Sequence, residues 1–343
     1  MEDLDTQVLE TIAVWRRAGL RAALVTIART WGSSPRPPGS LMGINELGST
    51  IGSVSGGCIE DDLILSVRNY GLSAVCRGDL PKLIRYGISA DEAHRFGLPC
   101  GGTIELVIEP VTSVSGINDL LSASKQRRGM MRELNLRTGH VTLREGGCDG
   151  VATIDEHRLI TYIGPQARLI VIGAGDMARF LCATAIGLGF EVMVCDPRES
   201  SAAWCMDGVT FSQEMPDDFI QRLRPDRRTA VVALSHDPKL DDLALIDALE
   251  SDAFYVGAIG SRRNTANRRA RLKIHFEIPD IRLNRLHGPA GMYIGSKTPA
   301  EIALSIISEI VAVKNGVKTG SWSDVELGKT KRMCAAPNAV GSS

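Results

Sequence analysis

Arg168-Leu-Ile-Val-Ile-Gly-Ala-Gly-Asp-Met-Ala178 is the stretch that decides the fold of the second half of this chain. A run of large apolar residues ends in Gly173-x-Gly175-x-x-Ala178, and a helix pattern follows to Gly187. The glycines allow a tight turn and close backbone approach, so a pyrophosphate can rest on the helix N-terminus. Glu191 to Cys195 reads as the next strand, and Asp196 stands at its end, about twenty residues on, where an acid can bond ribose hydroxyls. Later strands are expected at Thr229 to Leu234 and Ala253 to Val256, with helical segments near 240–250 and 265–273. This alternation predicts a Rossmann-like, doubly wound parallel sheet. Thr298-Pro-Ala-Glu301 is a capping box that opens a further helix.

The same sheet edge carries two other motifs. Gly257-Ala-Ile-Gly260-Ser261-Arg262-Arg263 is a glycine loop whose N–H groups and guanidinium suit an anion such as phosphate. The arginines further along, Arg268 to Lys273, are expected on a solvated basic helix face. Ser235-His236-Asp237 follows another strand, which makes His236 a candidate proton shuttle or ligand contact.

The first half is mixed α/β. Leu4, Val8, Ile12 and Trp15 lie at helical spacing, Ala22 to Ala28 is a strand, and Trp31 to Ser40 is a loop rich in proline and glycine. A helix is expected from about Ile59 to Asn69 and short strands between 80 and 110. The stretch 111–165 is weakly patterned, with a helix near 117–126 and a small sheet. The fold class is therefore α/β, with boundaries placed at 1–120, 121–165 (a connecting segment), 166–320 and 321–343 (a flexible tail).

The 343 residues are 44% apolar, and 39 basic residues stand against 40 acidic ones. Near-neutral charge predicts no attraction to nucleic acid or anionic membrane. The polar start is no signal peptide, and no apolar run is long enough to span a bilayer, so a cytoplasmic protein is expected. Eight cysteines are spread so that no two lie closer than ten positions, which excludes a CxxC half-site. Cys182 and Cys195 fall in a helix and a strand and read as core. Cys58 differs. In Ser55-Gly56-Gly57-Cys58-Ile-Glu60 it follows two glycines at a helix start, near the positive end of the dipole, available as nucleophile or soft metal ligand. Cys100, before Gly101-Gly102, is a second loop thiol of the same kind. From the residues alone an NAD(P)-dependent oxidoreductase, with Asp196 on the ribose and His236 as acid/base, stays open, as does a non-catalytic docking chaperone.

Thr30-Trp-Gly-Ser-Ser-Pro-Arg-Pro-Pro-Gly39, Gly52-Ser-Val-Ser-Gly-Gly-Cys-Ile-Glu60 and Cys100-Gly-Gly102 together resemble the amino-terminal domain of the XdhC/CoxI family. Gly173-Ala-Gly-Asp176, Ser235-His-Asp237, Tyr255 to Arg263 and Thr298 to Ser305 are similar to that family's Rossmann domain. The resemblance implies an accessory factor of xanthine dehydrogenase-type molybdenum hydroxylases. Such a factor binds the molybdenum cofactor, supports its sulfuration by a cysteine desulfurase and delivers it to the apo-enzyme. It further implies cofactor or sulfur handling by Cys58 and Cys100, with Ser55, Gly56 and Gly57 as backbone donors. Gly173, Gly175, Gly257, Gly260, Ser261 and Arg262 would then form the anion cradle. A homodimer is the expected assembly.

Overall fold

The computed structural model describes residues 4–32, 36–87, 102–146, 152–235 and 237–317. The chain divides into two compact units between Gln166 and Ala167.

In the first unit, α1 (Leu4–Arg17) leads into β1 (Ala22–Trp31). β1 lies at the centre of a five-stranded sheet with β2 (Leu41–Asn45), β3 (Thr50–Gly52), β4 (Lys82–Tyr86) and β5 (Thr103–Pro110), ordered β3-β2-β1-β5-β4. The run Ala22 to Ala28 is apolar at every position except Thr26 because both faces of β1 are covered. Ala23, Val25 and Ile27 face α2 (Cys58–Tyr70), where Ile59, Leu63 and Val67 fill that side. Ala22 and Leu24 face Val8, Leu9 and Ile12 of α1 and Leu120 of α3 (Ile117–Lys125). Further along β1, beside a register shift between Ile27 and Arg29, Ala28 packs with Leu134, Ile154 and Leu159 of a second, four-stranded antiparallel sheet. That sheet, ordered β7-β6-β9-β8, is built from β6 (Met130–Asn135), β7 (Val141–Glu145), β8 (Thr153–Ile154) and β9 (Arg158–Ile163).

The segment 121–165, set apart in the sequence reading, is thus built into the first unit. Its anchor is a buried ion pair. Arg132 of β6 donates to both carboxylate oxygens of Glu109 on β5, at 2.8 and 2.7 Å, and also to the Ser115 carbonyl. Both side chains are 2% exposed.

The second unit is a six-stranded parallel sheet with helices on both faces. In chain order it contains β10 (Arg168–Ile172), α4 (Asp176–Gly187), β11 (Glu191–Cys195), β12 (Val209–Ser212), α5 (Pro216–Leu223) and β13 (Thr229–Ala233). Then come α6 (Pro238–Glu250), β14 (Tyr255–Ala258), α7 (Arg262–His275), α8 (Asp280–Leu283), β15 (Leu286–His287) and α9 (Pro299–Lys314). The order β12-β11-β10-β13-β14-β15 reverses direction between β10 and β13, the switch point at which doubly wound sheets take ligands. α4 and α9 cover one face through Leu181, Ala185, Ile306 and Ile310; α5, α6 and α7 cover the other through Phe219, Leu245 and Leu272.

Several boundaries differ from the sequence reading: β1 runs on past Ala28 to Trp31, where a loop was expected to begin, and α7 starts at Arg262 rather than near 265. β14 starts and ends two residues later than expected, because Ala230 pairs with Tyr255 and the small residues Gly257 and Ala258 continue the ladder. β15 carries too few residues to show a strand pattern, yet it pairs with β14 and closes the sheet.

Candidate functional site

The loops after β10, β11, β13, β14 and β15 all leave the carboxyl edge of one parallel sheet. Gly173 is buried with φ +103°, and a Cβ there would lie 2.6 Å from Ser235 Cα. Its N–H donates to the Cys195 carbonyl at 2.8 Å. The first glycine of the turn therefore lets three neighbouring loops touch. Gly175 is exposed and caps α4.

Asp196 is fully buried. Its Oδ2 accepts from Ala174 N–H at 2.8 Å and from Arg198 Nη2 at 2.6 Å. Its Oδ1 accepts from Arg198 N–H at 3.1 Å and from Arg198 Nε at 2.8 Å. Burial alone would raise this carboxyl, but the Arg198 side chain, the two backbone donors and the Ser201 hydroxyl outweigh it and hold it at about 2. The acid placed in the sequence reading on a ribose instead binds its own turn.

The Gly257–Arg262 motif splits on folding. Gly257 is a buried residue inside β14, and its missing Cβ makes room for the Tyr255 ring, which would stand 2.6 Å away. Gly260 and Ser261 form the actual loop, and Ser261 Oγ caps α7 by accepting Asn264 N–H at 3.1 Å. Arg262 is half-buried in the first turn of α7.

The expectation of a solvated arginine face fails at Arg268, which is only 6% exposed. It donates to Asp241 at 2.9 Å, to Asp242 at 3.2 Å and to the Ile259 carbonyl at 3.1 Å. Asp241 in turn accepts the Ser235 hydroxyl at 2.6 Å and the Ser235 N–H at 3.1 Å. Burial raises the Asp241 carboxyl, against the pull of Ser235 and Arg268. This network ties the loop after β13 to the loop after β14. A second carboxylate, the half-buried Glu309 of α9, accepts Tyr255 Oη at 2.6 Å and Gly291 N–H at 2.7 Å, and lies 3.1 Å from His287 Nδ1. It fixes the loop after β15 against α9.

In the first unit, the turn before α2 is organised by a residue the sequence reading left without a role. Glu60 accepts N–H bonds from Val54, Ser55, Gly56 and Gly57 at 2.8, 2.8, 3.1 and 2.9 Å. It also accepts the Ser53 hydroxyl at 2.6 Å and the Ser55 hydroxyl. Burial opposes the charge, yet these donors hold the Glu60 carboxyl far below the usual carboxylate range. Gly56 and Gly57, at φ +89° and +153°, supply the conformation that aims successive amides at one anion. The backbone donors of Ser55, Gly56 and Gly57 expected to serve a cofactor thus point at Glu60. The Gly57-x-x-Glu60 spacing, a glycine form of the capping box, is the signal that could have found it.

Cys58 is exposed at the first position of α2. Cys205 is also exposed, whereas Cys76, Cys182 and Cys195 are buried thiols that burial pushes up to about 12. Cys100 and His236 lie outside the described residues. Among the described residues no group of three or more His, Cys, Asp or Glu side chains could hold a metal ion. No described helix is long and apolar enough to cross a membrane.

An antiparallel α/β unit with a glycine–cysteine turn, followed in the chain by a parallel sheet of order 3-2-1-4-5-6, defines a two-unit protein of the Rossmann class. Residues 15–87 match the XdhC and CoxI family, and residues 169–310 match the XdhC Rossmann domain. The chain belongs to the XdhC/CoxI family. It is 26% identical over 329 residues to a probable xanthine dehydrogenase subunit of Bacillus subtilis (strain 168), covering 86% of this chain and 94% of that protein. It is 25% identical over 301 residues to the molybdenum cofactor insertion chaperone PaoD of Escherichia coli (strain K12), covering 87% and 85%. A crystal structure from Bacillus halodurans, described as a xanthine dehydrogenase, superposes with a TM-score of 0.71 at 25% identity, covering 94% of this chain and 99% of that one.

Proposed function

We propose that this chain is an accessory factor for a xanthine dehydrogenase-type molybdenum hydroxylase, carrying the molybdenum cofactor as cargo and inserting it into the apo-enzyme. The observation that carries the reading is the exposed Cys58 thiol, set at the start of α2 on a turn that Glu60 holds rigid. Similarity to a cofactor insertion chaperone over most of both chains supports it. A thiolate is a soft donor suited to a molybdenum–sulfur centre, and a rigid turn presents it without loss of ordering entropy on binding.

In this reading Cys58 takes part in cofactor or sulfur handling, with Cys100 as its companion and a cysteine desulfurase as the sulfur source. Considered by itself, the carboxyl edge of the second unit offers Gly175, Gly260, Ser261 and Arg262 as anion contacts. The test is reconstitution. Protein made in a cofactor-producing host is assayed for bound molybdenum and pterin fluorescence, then mixed with apo-hydroxylase. The expected result is stoichiometric cofactor and restored hydroxylase activity, both lost in Cys58→Ser. Absence of pterin and molybdenum from the wild-type protein, with no activation of the apo-enzyme, refutes the proposal.

A further inference from the structure

A Rossmann-like sheet with a glycine turn implies a nicotinamide or adenine dinucleotide, and the residue that would seat its ribose is Asp196. The residues present do not fit that group. A carboxylate offers about four acceptor positions. In Asp196 they are taken by Ala174 N–H, Arg198 N–H, Arg198 Nε and Arg198 Nη2, and the Ser201 hydroxyl bonds the same carboxylate. The side chain is also fully covered, so neither a lone pair nor an approach path is left for a vicinal diol. The Arg198 bonds come from a residue two positions further along the same loop, which makes the clip local and independent of any movement between elements.

We propose that the Asp196–Arg198 clip is a specificity device that excludes ribose-diol ligands from the glycine turn of the second unit. The crevice is thereby reserved for ligands that lack a free ribose diol at that seat. Removing the guanidinium takes Nε off Oδ1 and Nη2 off Oδ2 and leaves the Ala174 and Arg198 N–H groups and the Ser201 hydroxyl on the carboxylate. Two acceptors on one carboxylate are the arrangement that receives the two hydroxyls of a ribose. The inference does not depend on the cargo proposed above; a chain that carries no molybdenum cofactor would still have a closed ribose seat.

The experiment uses the full chain with NADH and ADP-ribose as probes, followed by nicotinamide fluorescence and by calorimetry. Wild-type protein should show no saturable binding of either up to millimolar concentration. Arg198→Ala, and Arg198→Met, which keeps an unbranched apolar side chain at this position, should bind ADP-ribose at least about tenfold more tightly than wild type. That is the scale of new hydrogen bonds to a charged acceptor. Adding Asp196→Asn to either variant should abolish the gain. Circular dichroism identifies which variants are folded. Saturable NADH binding by wild-type protein overturns the proposal. So does a folded Arg198→Met that gains no affinity for ADP-ribose, or a gain that survives Asp196→Asn.

Discussion

Replacing Glu60 by glutamine tests whether the Cys58 turn is held by a single anion. Glutamine keeps one acceptor oxygen and puts an NH2 group in place of the other. If the NH2 takes the Oε2 position, it faces the Ser55 hydroxyl and Gly57 N–H. The hydroxyl rotates away, but the amide is fixed by the backbone. A stranded amide costs about 1–3 kcal/mol, and turning the remaining bonds from charge-assisted to neutral adds about 1 kcal/mol. The turn should loosen by about 2–4 kcal/mol. Hydrogen exchange read on peptides spanning 53–60, normalised for intrinsic rates, should then accelerate by about 30-fold or more at neutral pH, since 1.4 kcal/mol is a factor of ten. The pH dependence has a defined sign. The Glu60 carboxyl is lowered in the folded state, so its stabilisation is complete above the unfolded value of about 4.3 and is lost as pH falls below it. Wild-type protection of the turn should therefore decline on acidification below about pH 4, while the Glu60→Gln turn stays uniformly loose. Wild-type exchange rates in Glu60→Gln at neutral pH would refute the reasoning.

Three further outcomes are expected. Alkylation of the native protein followed by mass mapping should label Cys58 and Cys205, leaving Cys76, Cys182 and Cys195 unmodified until the protein is unfolded, because burial holds those thiols protonated. Arg132→Met should destabilise the first unit by about 3–5 kcal/mol in urea unfolding, since Glu109 is left as an uncompensated buried charge, and adding Glu109→Gln should recover part of the loss. Gly173→Ala should lower the melting temperature of the second unit, because the new methyl meets the Ser235 backbone at 2.6 Å in a left-handed conformation; an unchanged melting curve would show that the two loops can part.

The sheet of the second unit was legible because β10, β11 and β13 are buried on both faces and read as unbroken apolar runs between glycine, aspartate and helix signals. Cys182 and Cys195 were legible as core for the same reason. What escaped were charges whose partners lie far along the chain. Arg268 shares the inward spacing of Thr265 and Leu272 on α7, and a charged residue at an inward position implies a buried partner. Arg132 likewise takes the inward phase of β6 together with Leu134. The partners, Asp241 and Glu109, stand 27 and 23 residues away, and no local pattern names them. Asp196 was legible as a residue but its partners were not, because sequence shows that an acid stands at a strand end and not which donors reach it.

The Arg132–Glu109 pair also bears on how this chain can be inherited. The family matches fall on residues 15–87 and 169–310, which could suggest two exchangeable modules joined by spacer. A recombination point near residue 120 would leave Glu109 in one fragment and its guanidinium in the other, each a buried charge without a counter-ion. A breakpoint inside 110–131 would separate the two charges. The small sheet travels with the thiol-bearing unit as a matter of electrostatics, and a shuffled descendant of this gene should keep the two together or lose both.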